Sequence, residues 1–201
     1  MKIVCATGNS HKVDEFNMHF EQICPDLEVE VIGATVLGGM PEVDEDADSF
    51  PGNARLKADA LWELARGIGA WVLSDDSGLA VDVLRGDPGV YSARYAGPGV
   101  SDSENVEKLL NELQGIPPNE RSAKFVCSLC LIDPAGKRFT AEGYCHGAIA
   151  LEPRGNAGFG YDPVFIPEGY QKTFGELGSL VKGELSHRAE ALQDLVIQLR
   201  D

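Results

Sequence analysis

Apolar and polar positions along the chain switch between a period of two and a period near 3.6, and each switch marks an element. Lys2 to Ala6 predicts a short strand, Thr7-Gly8-Asn9 a turn, and Val13, Phe16, Phe20 and Ile23 then recur at helical spacing. Leu27 to Ile32 predicts a second strand and Gly33 to Asp48 an acidic loop. Ser49 is placed to cap a helix striped by Ala54, Ala58, Leu61 and Ala65 and stopped by Gly67 and Gly69. Ala70 to Ser74 predicts a strand running into Asp75-Asp76-Ser77-Gly78, and Leu79 to Leu84 another, closed by the turn RGDPG. Val90 to Gly97 fits neither period. Ser101 or Ser103 opens a helix carrying Val106, Leu109, Leu110 and Leu113 on one face, ended by Gly115 and Pro117-Pro118. Ser122 to Asp133 and Arg138 to Ile149 flank Pro134-Ala135-Gly136 and predict a hairpin. After the glycine-rich loop RGNAGFGYDP, a last helix starts near Ser186 with Leu192, Leu195, Val196 and Leu199 as its stripe. Helices interleaved with strands and a late hairpin predict an α/β fold with a mixed sheet, and no repeat or linker marks a boundary within it.

Composition narrows the function. The 201 residues carry 32 acids against 17 lysines and arginines, a formal charge of −15. No Lys/Arg cluster is present to hold a phosphate backbone, which argues against a nucleic-acid partner. A small anion remains compatible, because a few aimed cations can bind it and surplus carboxylates can hold a divalent metal that it shares. The apolar run of MKIVCATGNS is too short for a signal peptide, no segment reaches the ~20 apolar residues of a membrane span, and five irregularly spaced cysteines suit a reducing compartment. The expectation is a cytoplasmic protein without a membrane partner. Cys127 and Cys130 lie three apart on a predicted strand, hence on opposite faces, and read as core thiols rather than a metal pair.

Five stretches could carry chemistry. In ATGNSHK, residues 6–12, a glycine turn and a helix start present free amides, with Lys12 as a mobile cation. The same stretch also reads as an ordinary turn and cap. Two helices, opening at His11-Lys12 and His187-Arg188, put bases where the helix dipole disfavours a cation by ~0.3–1 kcal/mol, which suggests an electron-rich ligand between them, either phosphate oxygens or a base carbonyl. Asn53 and Lys57 are one turn apart and share a helix face. In GFGYDP the glycines leave room for a flat ligand on Phe159, or form a turn over buried aromatics. Finally, Asp75 and Asp76 leave a strand as neighbours and point to opposite sides; a bend at Ser77-Gly78 is expected if both are to face one ion.

Taken together, ATGNSHK, SFPGNARLKA, SDDSGLAVD, PGVYSARYAG, GFGYDPVF and K-x-x-L-S-H-R, in this order over nearly the whole chain, resemble the inosine triphosphate pyrophosphatase family. The resemblance implies a single domain over residues 1–201, an elongated two-lobed α/β structure around a long mixed sheet with the site in the cleft between the lobes, and a homodimer. It implies hydrolysis of ITP, dITP and XTP to the monophosphate and pyrophosphate with Mg²⁺. Thr7, Gly8, Asn9, Ser10, His11 and Lys12 with Lys57 would hold the phosphates, and Asn53 would join the substrate-binding set. Asp76 would be the catalytic acid-base residue and a metal ligand, with Lys57 beside it and Glu45 the companion carboxylate. Ser77 would touch substrate, Phe159 would stack on the purine, Gly160, Tyr161 and Asp162 would line its pocket, and Lys182, His187 and Arg188 would bind the base. Donors facing the C6 carbonyl of hypoxanthine or xanthine would reject the amine of adenine. Ala47 stands where the family usually has glycine, and His146 to Ala150 also departs from its usual wording. A septum-formation-inhibitor-type pyrophosphatase acting on other nucleotides, and a non-catalytic nucleotide-binding regulatory module, are the competing readings.

Overall fold

Six strands, β1 (Lys2–Cys5), β2 (Glu30–Gly33), β3 (Trp71–Val81), β4 (Ser122–Ile132), β5 (Arg138–Ile149) and β6 (Phe165–Pro167), form one sheet in the order β2-β1-β3-β4-β5-β6. The structure, a computed structural model, describes residues 1–200. β1 runs parallel to both β2 and β3, while β6 is antiparallel to β5, so the sheet is mixed as its sequence predicts. The helices are α1 (Ser10–Ile23), α2 (Phe50–Ala65), α3 (Asp102–Glu112), α4 (Phe174–Leu185) and α5 (His187–Arg200).

The chain divides into two compact units. The first comprises Met1–Asp76, Cys127–Gly143 and the chain from Arg188. Its parallel strands β1 and β3 are buried on both faces, as such strands covered by helices must be. Ile3, Cys5, Leu73, Cys127, Leu129 and Leu131 pack under Phe16 and Phe20 of α1 and Leu192 and Leu195 of α5. The intervening residues Val4, Ala6 and Val72 pack under Leu61 and Ala65 of α2, and Cys130 and Ile132 under Ala54 and Ala58. Period-two alternation thus separates Cys127 from Cys130 into different clusters, and both thiols are free. Phe16 is fully buried, so truncating it to alanine would cost about 3–5 kcal/mol.

The second unit comprises Ser77–Val126 and Tyr144–His187. Leu79, Val81, Val106, Leu109, Phe125, Phe165 and Phe174 form its core, with the Phe125 and Phe165 rings 4.6 Å apart. Ser101, one of the two serines placed to open α3, caps it in a reciprocal box with Glu104. The buried Arg121 guanidinium donates to the carbonyls of Leu113, Ile116 and Ala150, which closes the other end of that helix.

Several boundaries differ from expectation for local reasons. A 3₁₀ turn at Pro25–Leu27 delays the second strand to Glu30. Ser49 occupies the cap position of α2, but its side chain makes no capping bond. The segment without a period is also a 3₁₀ turn, Gly89–Arg94. Helix α4 and strand β6 have no counterpart in the sequence reading. Gly175, Gly178 and Gly183 dilute the apolar stripe of α4, which kinks at Gly178 with φ of 79°.

Candidate functional site

Strand β3 continues without interruption through Ser74-Asp75-Asp76-Ser77-Gly78, which corrects the expected bend at Ser77-Gly78. No bend is required, because alternation alone sends the two acids to opposite faces, where each meets its own partners. Ser74, on the face of Asp76, fixes that side by donating to the carbonyls of Ala54 at 2.5 Å and Cys130 at 3.3 Å.

Asp75 faces α1 and α5. Its Oδ2 accepts from Arg188 Nε at 2.8 Å and lies 3.0 Å from Lys12 Nζ, while Cys127 Sγ approaches Oδ1 at 3.5 Å. Arg188 Nη1 also donates to Glu15 at 2.8 Å. The two helix starts, expected to face a ligand, instead send Lys12 and Arg188 to a group of the protein itself, the carboxylate of Asp75. Burial would raise the Asp75 pKa, but the attraction of Arg188 and Lys12 outweighs it and holds the carboxyl well below the usual range. Arg188, expected at the base, is only 2% exposed and remains a firm cation: burial disfavours its charge, yet Asp75 and Glu15 more than restore it.

Asp76 faces α2. Its Oδ1 accepts from Lys57 Nζ at 2.6 Å, and the same ammonium reaches Glu45 Oε2 at 3.4 Å. The other oxygen, Oδ2, is buried and accepts no hydrogen bond from the described residues. Burial raises the Asp76 pKa by more than Lys57 lowers it. Lys57, although burial works against its charge, is held protonated by Asp76, Glu45 and Asp75. Asn53, one turn before Lys57, accepts from the Ala47 amide at 3.1 Å and so ties down the acidic loop. Gly52 explains how Ala47 is tolerated, since a Cβ at residue 52 would stand 2.6 Å from the Cβ of Ala47.

The turn before α1 is built by its own side chains. Asn9 caps the helix by accepting from the His11 amide at 2.9 Å, and Thr7 Oγ1 accepts from the Asn9 amide at 3.0 Å. Gly8, Ser10 and His11 are exposed, whereas Lys12 turns inward to Asp75.

The second unit gathers Phe159, Gly160, Tyr161, Asp162 and Lys182. Asp162 Oδ2 accepts from the Phe159 amide at 2.9 Å and from Lys182 Nζ at 2.7 Å, which places that ammonium 4.3 Å from the centre of the Phe159 ring. A side chain at Gly158 would collide with the Asp162 carboxylate, so the loop needs glycine there. The Gly160 amide donates to Asp102 Oδ2 at 2.7 Å. Tyr161 is buried, with its hydroxyl donating to the Ser92 carbonyl at 2.9 Å, so its ring belongs to the core. His187 lies flat on Phe125, centroids 4.9 Å apart. Ser77, at the start of this unit, is half-buried.

Sequence reasoning missed Glu15, Ser92, Asp102 and Phe125. Glu15 follows Lys12 by one turn and could have been suspected, but its partner is 173 positions away. Ser92 and Asp102 act on the loop from 69 and 58 positions away, and no local pattern announces them.

The acidic side fits a divalent cation of the magnesium kind. Among the described residues no group of three or more His, Cys, Asp or Glu is arranged to hold a metal. Magnesium, however, takes one or two protein carboxylates and completes its shell with water and phosphate oxygens. Asp76, with its unpartnered Oδ2, and Glu45, joined through Lys57, offer such a pair.

A sequence profile of the Ham1 family matches residues 3–198. The chain is 48% identical over 197 residues to a dITP/XTP pyrophosphatase of Opitutus terrae, covering 97% of each chain. It is 44% identical over 192 residues to one of Bacillus subtilis, covering 96% of this chain and 93% of the other. The solved structure of a HAM1 protein from Coxiella burnetii superposes with a TM-score of 0.83 at 37% identity, covering 100% of this chain and 98% of that one.

Proposed function

The chain belongs to the Ham1 family, and from that premise we propose that it hydrolyses non-standard purine nucleoside triphosphates, ITP, dITP and XTP, to the monophosphate and pyrophosphate. The observation that carries the chemistry is the buried, unpartnered Oδ2 of Asp76 beside an ammonium shared with Glu45.

In this reading Asp76 orients a water for attack and takes its proton at Oδ2, while Lys57 holds Oδ1 and keeps the carboxylate from turning. Asp76 and Glu45 would hold Mg²⁺, which when bound neutralises phosphate charge. The exposed turn of Thr7, Gly8, Asn9, Ser10 and His11 offers amides and hydroxyls to the phosphates, with Lys12 and Lys57 as cations and Asn53 and Ser77 as further substrate contacts. Phe159 would stack on the base, Gly160 and Asp162 would line its pocket with Tyr161 holding the loop from the core behind them, and Lys182, His187 and Arg188 would select the C6 carbonyl. Arg188 enters that role with Nε and Nη1 already donated to Asp75 and Glu15.

Five free, buried cysteines support a reducing, cytoplasmic setting. The chain would act as one domain over residues 1–201 and as a homodimer. Phosphorus NMR of an ITP digest with Mg²⁺ tests the reaction. IMP and pyrophosphate are expected, with ATP consumed far more slowly; inorganic phosphate as the primary product overturns the assignment.

A further inference from the structure

Asp102 stands in the first turn of α3, outside every motif considered above, and its carboxylate accepts from the Gly160 amide at 2.7 Å. Gly160 lies between Phe159 and Tyr161 at φ of 60°, a conformation that glycine adopts without strain. The acceptor itself is firmly held. Ser101 caps α3 with Glu104, and Asn105 accepts from the Ala96 amide at 2.8 Å and donates to the Ala93 carbonyl at 3.3 Å. An acid at the amino end of a helix is favoured by the helix dipole, which supports Asp102 at this place. A cavity of about 510 Å³ touches both sides of this contact, with Asp102 and Val106 of α3 on one wall and Phe159 and Gly160 on another.

The loop bearing Phe159 is therefore tied at three points. Asp162 binds the Phe159 amide, Tyr161 reaches Ser92, and Asp102 takes Gly160. The first is part-buried and the second buried, whereas the third is exposed and comes from another element, α3. We infer that Asp102 is a positioning residue that sets the pose of Phe159 for the nucleobase, acting on base affinity and leaving the phosphate chemistry alone. The inference rests on the proposed nucleotide reading of this loop.

Two variants test it, Asp102→Ala, which removes the acceptor, and Asp102→Asn, which keeps one oxygen. A hydrogen bond to a charged group supports an expected rise in KM for ITP of about tenfold in Asp102→Ala. kcat should stay within about twofold, since the group is absent from the reacting end. Inhibition by inorganic tripolyphosphate, which has no base, should be unchanged. Asp102→Asn should recover most of the KM. Amide exchange at Gly160, followed by NMR, should accelerate in Asp102→Ala while the melting temperature holds. A Gly160 amide or an ITP KM untouched by Asp102→Ala overturns the inference, as does an equal loss in kcat or in tripolyphosphate binding. Failure of the nucleotide reading looks different: the unaltered chain would then release no pyrophosphate from ITP, and loss of that premise removes the role assigned to Asp102 even where the Gly160 amide responds.

Discussion

The two faces of β3 carry the same residue type at consecutive positions and make different acids of it. Asp75 is wholly enclosed and shares one oxygen between two cations, whereas Asp76 keeps one oxygen on Lys57 and leaves the other unpartnered in a buried setting. Burial pushes both carboxyls toward the neutral form, and only on the Asp75 face does the surrounding charge outweigh it. Acid strength is thus decided by what stands opposite each side chain. A fully paired carboxylate is an anchor; a half-paired one has capacity left for water or metal.

The sharpest way to break this contrast is Asp76→Asn. Loss of general-base chemistry should lower kcat for ITP by about 10³-fold with the fold intact, because Glu45 still faces the Lys57 ammonium. A variant that loses its fold along with its activity would make Asp76 structural.

Asp75→Asn should do the reverse. Removing one partner of a buried charge cluster costs about 3–5 kcal/mol, because Lys12 and Arg188 lose their shared anion. Chemical denaturation measures that loss, and residual turnover should exceed that of Asp76→Asn. The opposite order of activities would mean that the catalytic acid is on the other face.

The acids should also pull the pH dependence of stability in opposite directions. Both start from an ordinary value of 3.8. For Asp75, whose folded pKa is lower, the stabilisation is complete above that value and is lost as pH falls toward the folded pKa, because the unfolded chain takes up a proton that the folded one refuses. For Asp76, whose folded pKa is higher, stability declines as pH rises from 3.8 through the folded pKa, because the folded chain retains a proton that the unfolded one has released. Carbon-13 titration of the aspartate carboxyls in metal-free protein should show Asp76 with a midpoint above 3.8 and Asp75 with none down to the acid transition. Lys57→Met should raise the Asp76 midpoint further; an unchanged midpoint would leave burial as its sole cause.

The smallest effect belongs to Cys127. Its thiol approaches Asp75 Oδ1, and burial first, then the charge of Asp75, pushes its pKa up. Cys127→Ser keeps a donor at that position and should change stability by about 1 kcal/mol or less. The native thiol should resist alkylation until the protein unfolds. Rapid labelling in native buffer would show that the Asp75 face is open to solvent.

Period and turn chemistry in the sequence were enough to establish the mixed α/β sheet, the hairpin of β4 and β5, the separate faces of Cys127 and Cys130, and the opposed directions of Asp75 and Asp76. These follow from local backbone geometry, which a few neighbouring residues determine. Motif order was enough to bring the site residues under one family. What neither could supply is which charges meet. Arg188 reaches Asp75 from 113 positions away, Lys182 reaches Asp162 from 20, and Asp102 reaches Gly160 from 58. Burial and opposing charge are properties of packed neighbours, so only the tertiary structure could decide that Asp75 is an anchor and that Asp76 retains an open oxygen.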